Sequence, residues 1–373
     1  MQGKFGPTTM KSLRKIAIAL GLAVLFSGVQ ARAQNPASAA PPASGAGQTQ
    51  GAPPRNQPTI STTTSIVVVP VTVKDNRGNL VPDLKRDEFR IFQDGVEQQI
   101  QRMTSEAMPL SLVILVDNDL RFKDQQQVEP SLVSIVAGLS EDDEAFICRY
   151  DQFFHPGQGF TKDQDAMVTQ LRRTELKSTT SAPPPGDPFG GPTINNAPAP
   201  GAPMDTAKPS MQIIQGQPTQ ALDDAMYDSA LLLKDRDSRK RRKMILLISD
   251  GQNGAKFNTH KYDEVREELL RQDITVYCVA TGSEYFNRKF NRLVSYAHDT
   301  GGDVFYGAKE DSFSEFYSKI TEEARNQYVL TYSPRGIENS LNYHKIEVRV
   351  RRANLTVLAR DGYYGGAYLS SPK

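Results

Sequence analysis

Tryptophan is absent from this 373-residue chain, and only two cysteines and four histidines are present. No tryptophan means no Trp-based platform for stacking sugars. Two cysteines, Cys148 and Cys278, are too few for a disulfide framework. The four histidines are scattered and form no metal cluster. A strong charge of either sign is missing too, since the net charge is +1, which supports neither nucleic-acid binding nor an anionic-membrane surface. The motifs H-E-x-x-H, G-x-S-x-G and G-x-x-x-x-G-K-[ST] do not occur. Apart from the first residues, no apolar run approaches the length of about 20 that a membrane span requires.

Those first residues read as an export signal. Lys4, Lys11, Arg14 and Lys15 make a basic start, Ile16 to Phe26 an apolar core, and Ala31-Arg32-Ala33 a cleavage site. The expectation is a signal peptide over 1–33, with no membrane span after cleavage and a secreted, periplasmic or cell-envelope location. Residues 34–63, rich in Ala, Pro, Ser, Gly and Gln, read as a disordered tether. A second such stretch, 178–217, reads as a Pro/Gly-rich disordered insertion, because the pattern around it resumes intact.

Between these segments the pattern changes twice. Residues 64–106 read as β: SIVVVPVTVKD is a valine-rich strand that Pro70 pushes towards an edge or bulge. Asp94-Gly95, between alternating apolar residues, signals a type I′ hairpin. Residues 107–324 alternate strands and helices, and 325–365 return to β before a tail over 366–373. The basic cluster Arg236 to Lys243 reads as a solvated turn.

Everything turns on LSLVILVDNDLRF, Leu110 to Phe122. Its apolar run reads as a strand buried on both faces, and it stops at Asp117-Asn118-Asp119. A second run, Met244 to Ile248, stops at Asp250-Gly251. Acidic residues at the carboxyl ends of such strands stand where open α/β sheets bind ligands. After the first strand, Val128, Leu132, Ile135 and Leu139 share a helical face, with Pro130 expected in that helix's first turn.

This pattern resembles a von Willebrand factor A domain. The flanking phrases VTVKDNRGNLVPDLKRDEFRIFQDGVEQQI and YVLTYSPRG, HKIEVRVRR and VLARDGYY are similar to a VWFA-related family known mainly from Acidobacteria. The resemblance implies a doubly wound, Rossmann-like α/β fold, with the flanking β segments forming an accessory β domain. Its sheet order would put the strands of Cys148 and Cys278 three spacings apart, about 14 Å, too far for a disulfide. It also implies a metal-ion-dependent adhesion site of the pattern Asp-x-Ser-x-Ser, completed by a later Thr and Asp. The candidate ligands are then Asp117, Asp119, Thr219 and Asp250, with Mg²⁺ the most suitable ion. The site is degenerate, since its two serine positions hold Asp119 and Arg121. Asp119 would favour a cation. Arg121 could replace it by pairing with Asp117 or Asp250.

Two functions follow. One is an exported, non-enzymatic protein-binding or adhesion-type module that uses the top of the sheet, with a protein as partner and either no cofactor or a divalent cation. The other is a haloacid-dehalogenase-like phosphotransferase, with Asp117 as nucleophile and Asp119 as acid/base. The second needs a later strand ending in acidic ligands, and the Ile274 strand ends in Thr281-Gly282 instead.

Overall fold

A computed structural model describes residues 66–174, 176, 193–194, 197–198, 220–282, 292–306, 310–334 and 341–365. The signal segment, the tether and Thr219 lie outside them, as does the insertion apart from one pair of two-residue strands. In chain order the elements are β1 (Val67–Lys74), β2 (Phe89–Gln93), β3 (Val96–Gln98), β4 (Arg102–Thr104), β5 (Leu110–Asp117), α1 (Phe122–Ser131), α2 (Ser134–Ala137), β6 (Glu144–Tyr150), β7 (Phe154–Pro156) and α3 (Gln164–Arg172). The short pair β8 (Thr193–Ile194) and β9 (Ala197–Pro198) stands within the stretch expected to be structureless. Then follow α4 (Leu222–Leu232), β10 (Arg242–Ser249), α5 (Tyr262–Arg271), β11 (Ile274–Ala280), α6 (Arg292–Thr300), β12 (Val304–Tyr306) and α7 (Glu310–Arg325). The chain closes with β13 (Tyr328–Tyr332), β14 (Tyr343–Val350), β15 (Thr356–Ala359) and β16 (Gly362–Tyr364).

Every residue of β5 is buried, because the sheet around it is covered on both faces. The order is β12-β11-β10-β5-β6-β7, parallel except for the last strand, which runs back along β6. Leu112, Ile114 and Val116 face α1, α2, α3 and α7. Val113 and Leu115 face α4, α5 and α6. Alternation thus sends apolar side chains both ways, which is why the run is apolar without interruption. Each such burial contributes about 1.5–3 kcal/mol. Strand order reverses between β5 and β10, so their carboxyl ends form the crevice of the doubly wound fold.

The flanks close on each other. One sheet runs β15-β1-β13-β4 and the other β16-β14-β2-β3, so both combine strands from before and after the α/β unit. Val67, Val69, Val71, Phe89, Ile91, Leu330, Tyr332 and Ile346 fill the space between them. These flanking segments form one accessory β domain. The Asp94-Gly95 turn has positive φ at both residues, 50° and 82°, as a type I′ hairpin requires. β1 is an inner strand and not an edge. Its pairing with β15 starts only at Val71, so Pro70 has a single strand neighbour, Val329 of β13.

Charged side chains bolt the two parts together. Arg266 of α5 donates to the Tyr343 hydroxyl (2.7 Å) and to Asp361 (2.9 Å), pairs with Asp299 (2.7 Å), and lies over the Tyr343 ring. Lys74 of β1 bridges Asp303 (2.7 Å) and Glu323 (2.6 Å).

Two local expectations need correction. α1 begins at Phe122, so Pro130 lies near its end, where the missing N–H and ring stop the helix. The Arg236–Lys243 cluster is not simply solvated. Arg236 lies over the Phe160 ring and reaches Glu144, Arg241 donates to Leu110 O and Asp142 O, and Arg242 donates to Gln327. These arginines satisfy carbonyls and acids at the amino end of the sheet.

Candidate functional site at the carboxyl edge of the sheet

Side chains end both central strands by bonding to the backbone just beyond them. Asp117 Oδ1 accepts from the Asp119 amide (2.9 Å), and Asp250 Oδ1 accepts from the Gln252 amide (3.0 Å). Ser249 Oγ accepts from the Gly251 amide (2.9 Å), and Gly251 itself has φ 78°, a conformation natural to glycine. Short Asp and Ser side chains make such turns by hydrogen bonding two residues ahead. They therefore turn the chain here as well as supplying oxygen donors.

Asp117 points inward. It is fully buried, and its Oδ2 accepts from Ser249 Oγ (2.8 Å) and the Tyr150 hydroxyl (3.2 Å). Tyr150 also donates to Ser249 at 2.7 Å. Burial first, then the charge of Asp250, push the Asp117 carboxyl up to about 8. Tyr150 is a site residue that sequence reasoning missed. Its signal is register: it ends β6 directly opposite Asp117.

Asp119 and Asp250 are buried at the same edge, at 6% and 3% exposure. Arg121 is not among them. It is exposed, occupies the N-cap position of α1 with no side-chain cap bond, and makes no ion pair with Asp117, Asp119 or Asp250 among the described residues. Burial raises the Asp124 carboxyl, three residues further on, and the charges of Arg121 and Lys123 partly offset that rise. The arginine therefore does not stand in the place of an ion. The start of α1 at Phe122 turns it outward.

The described residues depart from the five-position metal pattern at Arg121 and engage Asp117 from within the protein. Asp117 has both oxygens engaged by protein donors, the second serine position is an exposed arginine, and Thr219 lies outside the described residues. Among the described residues no group of three or more His, Cys, Asp or Glu side chains is arranged to hold an ion. A nucleophilic role for Asp117 meets the same obstacle, since an attacking carboxylate needs an oxygen open to substrate.

The amino end of α4, just after Thr219, is capped from across the crevice. Asn253 Oδ1 accepts from the Leu222 amide (3.2 Å) and Asn258 Oδ1 from that of Asp224 (3.0 Å). Asp223 gathers Tyr296 (2.6 Å), Asn253 (2.8 Å) and Arg292 (3.0 Å). The two cysteines sit on β6 and β11 with β5 and β10 between them, and both are free and buried.

The reversed last strand, the order of the other five and two aspartates delivered to one edge define the architecture. By strand order, the α/β unit has a doubly wound fold of the von Willebrand factor A type. No family model matches the chain, and no curated protein matches it. Among solved structures, a von Willebrand factor type A protein from Catenulispora acidiphila is similar at 8% identity, with 83% of this chain and 76% of that one covered and a TM-score of 0.40. The conserved hypothetical protein BatB from Bacteroides thetaiotaomicron is similar at 13% identity over 58% of this chain and 98% of its own, with a TM-score of 0.36. An aerotolerance-related membrane protein from Bacteroides fragilis reaches 11% identity over 57% and 99%, with a TM-score of 0.37. At these scores the assignment of the A-like fold rests on strand order, not on the likenesses.

Proposed function

We propose that this chain is an exported, non-enzymatic protein-binding module of adhesion type that meets a protein partner with the carboxyl edge of its A-like sheet. The observation that supports this most is a pair of exposed aromatics at that edge. Phe122 (64% exposed) follows the loop after β5, and Phe153 (66% exposed) follows β6. They flank the acidic turns. Aromatic side chains are enriched where proteins meet and often supply the anchoring contacts. The signal pattern of residues 1–33 supports export, and no helix among the described residues is long and apolar enough to cross a membrane. The inward-turned Asp117 supports a non-enzymatic role.

The test compares the parent with a Phe122→Ser/Phe153→Ser double variant in cross-linked pull-downs from envelope and culture-fluid fractions. A protein captured by the parent and lost by an equally well folded variant is the expected result. Equal capture by both would remove this edge as the binding surface. Incubation with Mg²⁺ and a chromogenic phosphate ester tests the other class. Turnover that disappears in Asp117→Asn would make the protein a phosphotransferase.

A further inference from the structure

A cleft of about 360 Å³ opens where the accessory β domain meets the last turns of α7. Asn79 and Tyr328 line it from the β domain, and Lys319, Glu322, Glu323 and Asn326 from α7 and the residue after it. Ser105, on the connection from β4 to β5, also lines it, so both connections between the two parts border the cleft. It lies at the amino end of the sheet, where Arg325 reaches Asp143 and Arg242 reaches Gln327. The Phe122 edge is at the other end.

Its hydrogen-bonding groups are one-sided. Asn79 Nδ2 donates to Asp75 (3.2 Å) and Asn326 Nδ2 to Glu322 O (3.0 Å). Each amide therefore keeps a side-chain oxygen that takes no bond from any described residue. The Tyr328 hydroxyl is fully engaged, donating to Val81 O (2.7 Å) and accepting from the Leu84 amide (3.0 Å). Lys319 pairs with Glu315 at 2.6 Å, while the exposed Glu322 pairs with no cation among the described residues. Glu323 is buried, at 3% exposure. Its Oε1 takes the Lys74 ammonium, which also serves Asp303, and its Oε2 has no partner. One lysine thus stands against two carboxylates, with a third at Glu322. Burial pushes Glu323 up to about 7 against the pull of Lys74. The carboxyl end of α7 adds negative charge of its own, since a helix dipole is negative there. Buried polar atoms are nearly always bonded. What this cleft lacks is a positive charge that brings N–H donors.

We propose that the cleft binds an organic cation through an alkylammonium or guanidinium group, with Glu322 as its direct counter-charge. The side-chain oxygens of Asn79 and Asn326 accept its N–H groups, and Glu323 adds a second negative charge in the wall. The volume suits such a guest, since small-molecule sites begin at about 300 Å³. The Leu80 side chain and the Tyr328 ring, both on the lining, give the alkyl portion apolar surface. A metal ion fits less well, because among the described residues no three His, Cys, Asp or Glu side chains are grouped to hold one. A neutral or anionic guest would leave the carboxylates unmet. Since both connections border the cleft, a bound cation bridges the β domain and α7. The site is independent of the protein-binding reading.

The test is calorimetric titration of the full chain at pH 8 with putrescine, agmatine and a blocked Gly-Lys-Gly peptide, with 1,4-butanediol as the uncharged comparison. The parent is expected to bind one equivalent of a cationic probe and no butanediol. Binding of the free amines alone assigns the cleft to a small molecule, and binding of the peptide assigns it to a basic side chain; either supports the proposal. Glu322→Gln should weaken binding at least fivefold and Glu323→Gln at least tenfold. Glu322 is exposed and unpaired, so its substitution leaves the fold intact and the lost affinity is not lost structure. Should Glu323→Gln fail to fold, Ser105→Tyr, which narrows the cleft from the β4–β5 connection, replaces it and should abolish binding. The proposal falls if no cationic probe binds or if butanediol binds as well as putrescine. Undiminished binding by a folded Glu322→Gln would overturn it too.

Discussion

Ser249 Oγ, at the end of β10, donates to Asp117 Oδ2, at the end of β5, across 2.8 Å. The two central strands are thereby tied by side chains at the point where the crevice opens. The same bond turns the carboxylate inward, beneath the loops, with Tyr150 closing it from β6. What resembles a ligand-binding aspartate serves first as a strut.

Stability in EDTA should fall as pH rises from about 5 to about 8.5. The folded-state pKa of Asp117, about 8, lies above its ordinary value of 3.8. Folded protein therefore keeps a proton that the unfolded chain has released, and raising the pH through this window favours unfolding. Glu323, pushed up to about 7 by burial, and His298, raised mainly by its hydrogen bond to Asp299, work in the same direction. Asp151, Asp224 and Asp299 are held low, so their contribution is lost only as pH falls below their ordinary range. Thermal midpoints measured across the range check this, and Asp117→Asn should flatten the slope. A midpoint that rose with pH would contradict the burial argument.

Replacing Arg266 with methionine should loosen the accessory β domain from the α/β unit. The substitution leaves Asp299 and Asp361 without their cation and removes the bond to Tyr343. Losing one partner of a largely buried ion pair costs about 3 kcal/mol. Denaturant unfolding followed by tyrosine fluorescence should show that loss. Hydrogen exchange should show it concentrated in β14 and β16, and a uniform effect across the sheet would argue against a local bolt.

Both thiols should resist labelling in the folded protein. Burial pushes Cys148 up to about 12 and Cys278 higher still, and the thiolate is the reactive form. A thiol reagent such as DTNB at pH 8 should titrate about zero cysteines natively and both after denaturation. Early reaction of either one would show that its strand opens locally.

Much of this fold is legible in the chain because burial on two faces leaves a plain mark. The Leu110 and Met244 runs are apolar without alternation, and the sheet they form is covered on both sides. Asp94-Gly95 is legible for a backbone reason, the positive φ at both positions. The pairing of β1 with β13 joins residues far apart in sequence, and periodicity carries no information about partners. The site was harder. The direction of Arg121 depends on where α1 starts, and Asp124 joins the edge only because that start places it one turn before Val128. Thr281 enters the sequence only as a strand end that is not acidic. Its interest lies in a hydroxyl without a partner, which only three-dimensional placement reveals.

β4 and β13 are antiparallel neighbours, with Thr104 opposite Val329, and the whole A-like unit is strung between them. Both ends of the described chain, Ile66 and Gly365, lie in the β sandwich. Tension applied to those ends is therefore met first by the ladders of the sandwich. The inserted unit leaves and returns through neighbouring strands, so it should stay slack until the β1, β4 and β13 pairings shear. A module tethered through its accessory domain can thus be pulled hard while its carboxyl edge keeps its shape.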